Sequence, residues 1–365
     1  MAPNAGTILP FFGGLKLQKM KQNLITILLL MVLGFSCSEE PVETVFFDLD
    51  TREGVFISCE GNFMYGNGSL SFYNRTNQQA TNRLFYARNN VPLGDVVQSL
   101  AVYNNSLFIV VNNSGKIYIA DSETVEFRDV ITGLTSPRYI HFVSDGKAYV
   151  SDLYATHLTL INPITFEKTG RVDLNGHTSE EMVRSGKYLF VTAWPEQSVV
   201  LVVDTETEQL VHAIDAPDQP KGLEKDKNGK LWVLSEGNYD DGGADEGPAL
   251  SRIDPLTFTI EQIYRFPSSL RPSNLEMNPE RDTLFFIYGG VQKMAVGSRH
   301  LPDIDFIPAG DRLFYSLAVD PSNGDIYVSD AIDYTQDAFV YRYSSNGTRV
   351  DSFRVGINPS GFGFR

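Results

Sequence analysis

A short pattern recurs seven times along this chain: one or two turn residues, a hydrophobic and aromatic run, then a polar or acidic stop. It reads Gly54-Val55-Phe56-Ile57-Ser58, Ser106-Leu107-Phe108-Ile109-Val110, Gly146-Lys147-Ala148-Tyr149-Val150 and Gly186-Lys187-Tyr188-Leu189-Phe190-Val191. It returns as Gly229-Lys230-Leu231-Trp232-Val233, Asp282-Thr283-Leu284-Phe285-Phe286 and Gly324-Asp325-Ile326-Tyr327-Val328. A spacing of roughly 40 to 50 residues is the period of propeller blades, each a small sheet that cannot bury its apolar faces alone. The expected fold is all-β, a seven-bladed β-propeller, with function at the mouths of the ring.

Runs of Val, Ile, Phe, Tyr and Thr, cut by Asp145-Gly146, Asn228-Gly229, Asn323-Gly324 and Asn346-Gly347, read as strands joined by tight turns. No window carries a sustained helical period. The third unit shows the grammar best. Tyr139 to Phe142 is the inner strand, Lys147 to Ser151 the second, Thr159 to Asn162 the third and Gly170 to Asp173 the outer one. The first unit departs from it, because Gly54 to Ser58 reads as a second strand with no inner strand before it. The missing piece stands at the other end, as Ser360-Gly361-Phe362-Gly363-Phe364-Arg365. The ring is therefore expected to close by lending its last strand to its first blade, which removes exposed sheet edges.

Residues 1–36 read as a signal peptide. Met20-Lys21-Gln22-Asn23 is a charged n-region, and the apolar run from Leu24 to Leu33 is too short to span a bilayer. Translation is expected to begin at Met20. Leu33-Gly34-Phe35-Ser36-Cys37 resembles a bacterial lipobox, which makes Cys37 the expected lipidation site. Ser38-Glu39-Glu40 resembles the acidic signal that sends Bacteroidetes lipoproteins to the cell surface, or serves as a solvated tether. Residues 37–53 form the tether and 54–365 the propeller.

The whole chain holds 30 Lys and Arg against 45 Asp and Glu, net −15. Without residues 1–36 the balance is 27 to 45, net −18. So acidic a body repels phosphate, which argues against nucleic-acid binding. Beside Cys37 there is only Cys59, so no intramolecular disulfide forms in the propeller, and Cys59 reads as a small buried apolar residue.

Loops leaving second strands and loops entering inner strands share one face of a propeller. On that rim the sequence gathers Met64, Tyr65, Arg138, Tyr154, His177, Trp194, Tyr239, Arg271, Tyr315 and Tyr334. Large amphipathic side chains there suit a broad, partly apolar, hydrogen-bonding ligand. Catalytic signals are thin. The histidines His141, His157, His177, His212 and His300 lack metal-ligand spacing, and no nucleophile elbow, phosphate loop or zinc motif appears. The acidic insertion over residues 238–247 offers oxygens to calcium but lacks the spacing and closing glutamate of an EF-hand; it reads as a lid. No catalytic residue, resident metal or cofactor is expected.

Ser136-Pro137-Arg138-Tyr139, Ala148-Tyr149-Val150-Ser151-Asp152-Leu153-Tyr154, Gly176-His177-Thr178-Ser179-Glu180 and Tyr327-Val328-Ser329-Asp330-Ala331-Ile332-Asp333-Tyr334 resemble the YncE-like propellers of Bacteroidetes. Among these the chain is most similar to the BtuG-like surface lipoproteins. The resemblance implies no enzymatic step and a corrinoid, cobalamin, held over a BtuB-like TonB-dependent transporter of the outer membrane. Another bulky nutrient such as a glycan or iron chelate, an adhesion scaffold, and a lyase or lactonase on the same fold remain as alternative readings.

Overall fold

The structure is a computed structural model that describes Met1 and residues 51–238, 247–267 and 270–365. The readings of a signal peptide, of acylation at Cys37, of the tether up to residue 50, of Tyr239 and of a lid or calcium loop over 239–246 lie outside the described residues. From Thr51 onward the chain is almost wholly β. The first sheet takes β1 (Gly54–Cys59), β2 (Ser69–Asn74) and β3 (Gln79–Thr81). A short helix, α1 (Leu84–Asn89), leads to β4 (Val97–Tyr103), β5 (Ser106–Val111), β6 (Lys116–Asp121) and β7 (Phe127–Ile131). The third sheet is β8 (Pro137–Ser144), β9 (Lys147–Asp152), β10 (His157–Ile161) and β11 (Lys168–Asp173). The fourth is β12 (Met182–Ser185), β13 (Tyr188–Thr192), β14 (Val199–Asp204) and β15 (Gln209–Asp215). The fifth is β16 (Pro220–Lys225), β17 (Leu231–Ser235), β18 (Ala249–Asp254) and β19 (Thr259–Arg265). The sixth has β20 (Ser273–Met277), β21 (Thr283–Tyr288) and β22 (Gly290–Ala295), and the seventh β23 (Phe314–Val319), β24 (Ile326–Asp330), β25 (Phe339–Tyr343) and β26 (Arg349–Arg354).

The last strand, β27 (Pro359–Phe364), returns to pair antiparallel with β1, with Ile57 opposite Phe362. The first blade thus has the order β27-β1-β2-β3, and the ring is closed as expected from its incomplete first unit. Arg365 locks the closure: its Nη1 donates to Ser122 Oγ at 2.6 Å and its carbonyl accepts from Arg75 Nη2 at 2.5 Å. The described residues form seven antiparallel sheets in a ring, a seven-bladed β-propeller.

The recurring runs are the second strands. Sheets pack on both their faces, so β1, β5, β17 and β24 are buried along their whole length. That is why they read as continuous apolar runs and not as alternation. Outermost strands face solvent: β11 fully buries only Val172 and β15 only Ile214. Among the described residues seven apolar clusters fill the clefts between consecutive sheets. The closing cluster sets Val55, Ile57 and Tyr73 against Tyr327, Val340 and Phe353, with Tyr73 stacked on Phe353 at 3.8 Å. Cys59 is buried and unbridged, and burial pushes its thiol up to about 12.

Two features depart from the expected grammar. The sixth sheet has three strands among the described residues, and only a bridge between Val291 and Ile307 stands where a fourth would run. Pro302 and Pro308 flank that segment and remove the N–H groups a ladder needs. The helix α1 is six residues long, too short to show a period; it buries Leu84 and Phe85 in the cleft between the first two blades.

Candidate ligand-binding site

The polar stops of the second strands turn out to be staples. Asp152, which ends β9, is buried and accepts Thr135 N (3.1 Å) and Ser136 N (2.8 Å) through Oδ2, and Tyr154 N (3.0 Å) and Ala155 N (2.8 Å) through Oδ1. One carboxylate thereby ties the loop entering β8 to the loop leaving β9, and sets the position of Tyr154. Asp330 does the same in the last blade, holding Leu313 N and Ile332 N, each at 3.0 Å.

These loops surround a cavity of about 580 Å³. Every innermost strand gives it a residue from, or just before, its entry end: Ser360 of β27, Gln98 of β4, Arg138 of β8, Glu181 ahead of β12, Lys221 of β16, Asn274 of β20 and Tyr315 of β23. The cavity therefore lies on the ring axis. Its size is within the range of small-molecule sites, about 300–1,000 Å³.

Of the rim residues read from sequence, Arg138, Tyr154, Trp194, Arg271, Tyr315 and Tyr334 are brought together in this wall. Met64 and Tyr65 are not among its lining residues and stand 75% and 79% exposed, while their neighbour Phe63 lines the cavity. The backbone decides this: Met64 has φ 72° and its N–H is held by Asp95 Oδ2 at 2.9 Å, which turns the loop. His177 also stays out of the wall; its Nδ1 bonds Gln197 Oε1 at 2.5 Å. Sequence reasoning missed Glu60, Tyr139, Glu181 and Lys221, all lining residues. One signal was available for part of this set. Pro137-Arg138, Pro220-Lys221 and Pro359-Ser360 each open an innermost strand, and each residue after the proline lines the cavity.

Over residues 53–362 the chain matches a family described as a domain of unknown function, DUF5074. It belongs to that family. No curated protein matches the chain. In fold this DUF5074 propeller is similar to a quinonprotein alcohol dehydrogenase-like protein from Bacteroides thetaiotaomicron, with TM-score 0.67 and 14% identity over 87% of this chain and 79% of that one. It is also similar to hydrazine synthase from Kuenenia stuttgartiensis, with TM-score 0.55 and 14% identity over 72% of this chain and 88% of that one. At such identity the likeness shows the fold alone.

The electrostatics of the DUF5074 cavity come from paired charges. Arg138, 7% exposed, forms a two-pronged ion pair with fully buried Glu180, Nε to Oε2 and Nη2 to Oε1, both at 2.6 Å, and its Nη1 bonds Gln98. Burial works to lower the guanidinium pKa, but the charge and hydrogen bonds of Glu180, with smaller contributions from Tyr139 and Glu60, together outweigh it and the net shift is upward. Lys221 Nζ lies 3.0 Å from Glu236 Oε1 and 4.5 Å from the centre of the Trp194 ring. Trp194 Nε1 donates to the other Glu236 oxygen at 3.3 Å. Arg271 donates to the carbonyls of Gly237 (3.4 Å) and Asn238 (3.2 Å). Tyr315 donates to Glu60 at 2.9 Å, and burial raises the pKa of both groups.

A set of enclosed acids on or just before neighbouring innermost strands was not read from sequence. Burial pushes Glu181 up to about 8, against the N–H of Leu223 that donates to it at 2.8 Å. Burial also raises Glu224, with Arg281 opposing, and holds Glu276 well above the carboxylate range, where the charges of Glu224 and Glu181 add to the effect. Solvent reaches these side chains in part, yet protein encloses each one. Among the described residues no three His, Cys, Asp or Glu side chains are placed to hold a metal ion.

The signs give a pH window. His141, pushed down from 6.5 to about 4 by burial, adds stability as pH rises to about 6.5 and nothing beyond. Glu181 acts oppositely, because between 4.5 and 8 the native chain keeps a proton that the unfolded chain has released. From about 6.5 to 8 Glu181 still takes part while His141 no longer does, so stability is expected to fall with rising pH, by about 1.4 kcal/mol per unit from Glu181. Urea midpoints measured across this window check the slope, which Glu181→Gln should flatten; midpoints that rise with pH would contradict it.

Proposed function

We propose that this protein is a lipid-anchored cell-surface capture protein that holds cobalamin or a related corrinoid at the mouth of its ring and passes it to an outer-membrane TonB-dependent transporter. The observation that supports the reading most is the make-up of the axial cavity. Aromatic surface from Trp194, Tyr154, Tyr315 and Tyr334 shares the wall there with the amides of Gln98, Asn112, Asn274 and Asn358. Arg138, Lys221 and Arg271 are each met by an acid or by carbonyls, so the wall suits a large ligand with a flat apolar body and many polar arms better than a small ion.

Purified ring, residues 51–365, mixed with cyanocobalamin and passed through a sizing column is expected to elute coloured. Elution of colourless protein argues against the reading. A second reading, a propeller lyase or lactonase, is favoured by the acids Glu181, just ahead of β12, and Glu224 and Glu276 on the next two innermost strands. Incubation with a lactone and with a uronic-acid glycan separates the two: a capture protein leaves both intact, whereas a lactonase opens the first or a lyase cleaves the second. For location, protease treatment of intact cells is expected to remove the protein, and full protection would place it inside the envelope.

A further inference from the structure

Outward of the axial cavity, where the last blade meets the first, lies a separate crevice of about 310 Å³. The loop between β1 and β2 divides the two: Gly61 and Phe63 line the axial cavity, whereas Gly66 to Leu70 line the crevice. Its floor is apolar, from buried Leu70 and Leu93. Pro92 and Ile357 extend that surface, and the Tyr86 side chain of α1 stands 44% exposed at its wall.

Two exposed side chains of opposite charge, Arg83 and Asp337, also line it, and neither has a hydrogen-bonded or salt-bridged partner among the described residues. Asn82 donates to Arg354 O at 3.2 Å, which leaves its side-chain oxygen as an acceptor. Arg83 is held at φ 54°, ψ 32°, a left-handed conformation that disfavours an arginine and occurs here at the wall of a cavity.

We propose that this crevice is a second binding site, for a small neutral hydroxyl-rich molecule of monosaccharide size. Its volume has room for roughly ten waters at ~30 Å³ each, on the scale of one sugar ring. Arginine only donates and an ionised aspartate only accepts, whereas a hydroxyl does both, so adjacent hydroxyls satisfy the two together. Their charges cancel, which removes any preference for an anion or a cation. The apolar floor and the tyrosine ring suit the C–H face of a sugar.

Saturation-transfer NMR on the ring, residues 51–365, tests this with glucose, galactose, ribose and inositol at millimolar concentration, and with glucose 6-phosphate and inorganic phosphate as charged controls. At least one neutral polyol is expected to receive saturation. Asp337→Ala and Tyr86→Ala, both at exposed positions, should each weaken it by about tenfold while leaving the urea midpoint near that of the parent. Trp194→Ala, in the axial cavity, should leave it unchanged, so this site stands or falls apart from the capture reading. No transfer to any neutral polyol, transfer that both crevice variants leave intact, or a clear preference for the phosphates would each overturn the proposal.

Discussion

Removing residues 359–365 is expected to abolish cooperative folding. β27 is the innermost strand of the first blade, and it alone covers the inner edge of β1. Without it, Phe362 and Phe364 leave the closing cluster, where they pack against Tyr327 at 6.1 Å and 5.5 Å between ring centres. β1, buried over all its residues, then becomes an open apolar edge and a template for aggregation. The truncated chain should show no sharp thermal transition and should aggregate. A soluble truncated protein with an unchanged midpoint would contradict closure by the last strand.

Glu180→Ala is expected to have the next largest effect. It leaves the Arg138 guanidinium buried, with Gln98 as its remaining side-chain acceptor, and breaking one side of a buried ion pair costs about 3–5 kcal/mol. Arg138 also anchors the wall by its backbone, since its carbonyl accepts from Ser99 Oγ at 2.5 Å. The double change Arg138→Met with Glu180→Leu removes both charges and should recover much of that loss. Urea unfolding of the three proteins checks this; a Glu180→Ala midpoint equal to the parent would show that the pair carries no stability.

The ring was legible because its second strands are buried on both faces, which prints a continuous apolar run at each repeat. Closure was legible for the opposite reason, as a strand missing at Gly54 and present at Ser360. The site was only half legible. Phe63, Met64 and Tyr65 are equivalent on paper, and a left-handed turn at Met64, fixed by Asp95, is what leaves Phe63 alone in the wall. Glu181 and Glu276 carry no local mark of their state. Enclosure that only the closed ring creates raises both, and for Glu276 the charges of Glu224 and Glu181, on preceding blades, add to it. The Arg138–Glu180 pair spans 42 residues for the same reason. Blade periodicity shows which strands meet, but not which side chains answer each other across the axis.

Calorimetric titration of residues 51–365 with cyanocobalamin puts the proposed corrinoid site at the mouth of the ring to the test. Saturable heat is expected, with a dissociation constant of about 1 µM or below and a loss of about tenfold or more in Trp194→Ala and in Tyr154→Ala. An absence of heat at these concentrations, or an affinity that neither substitution changes, would contradict it.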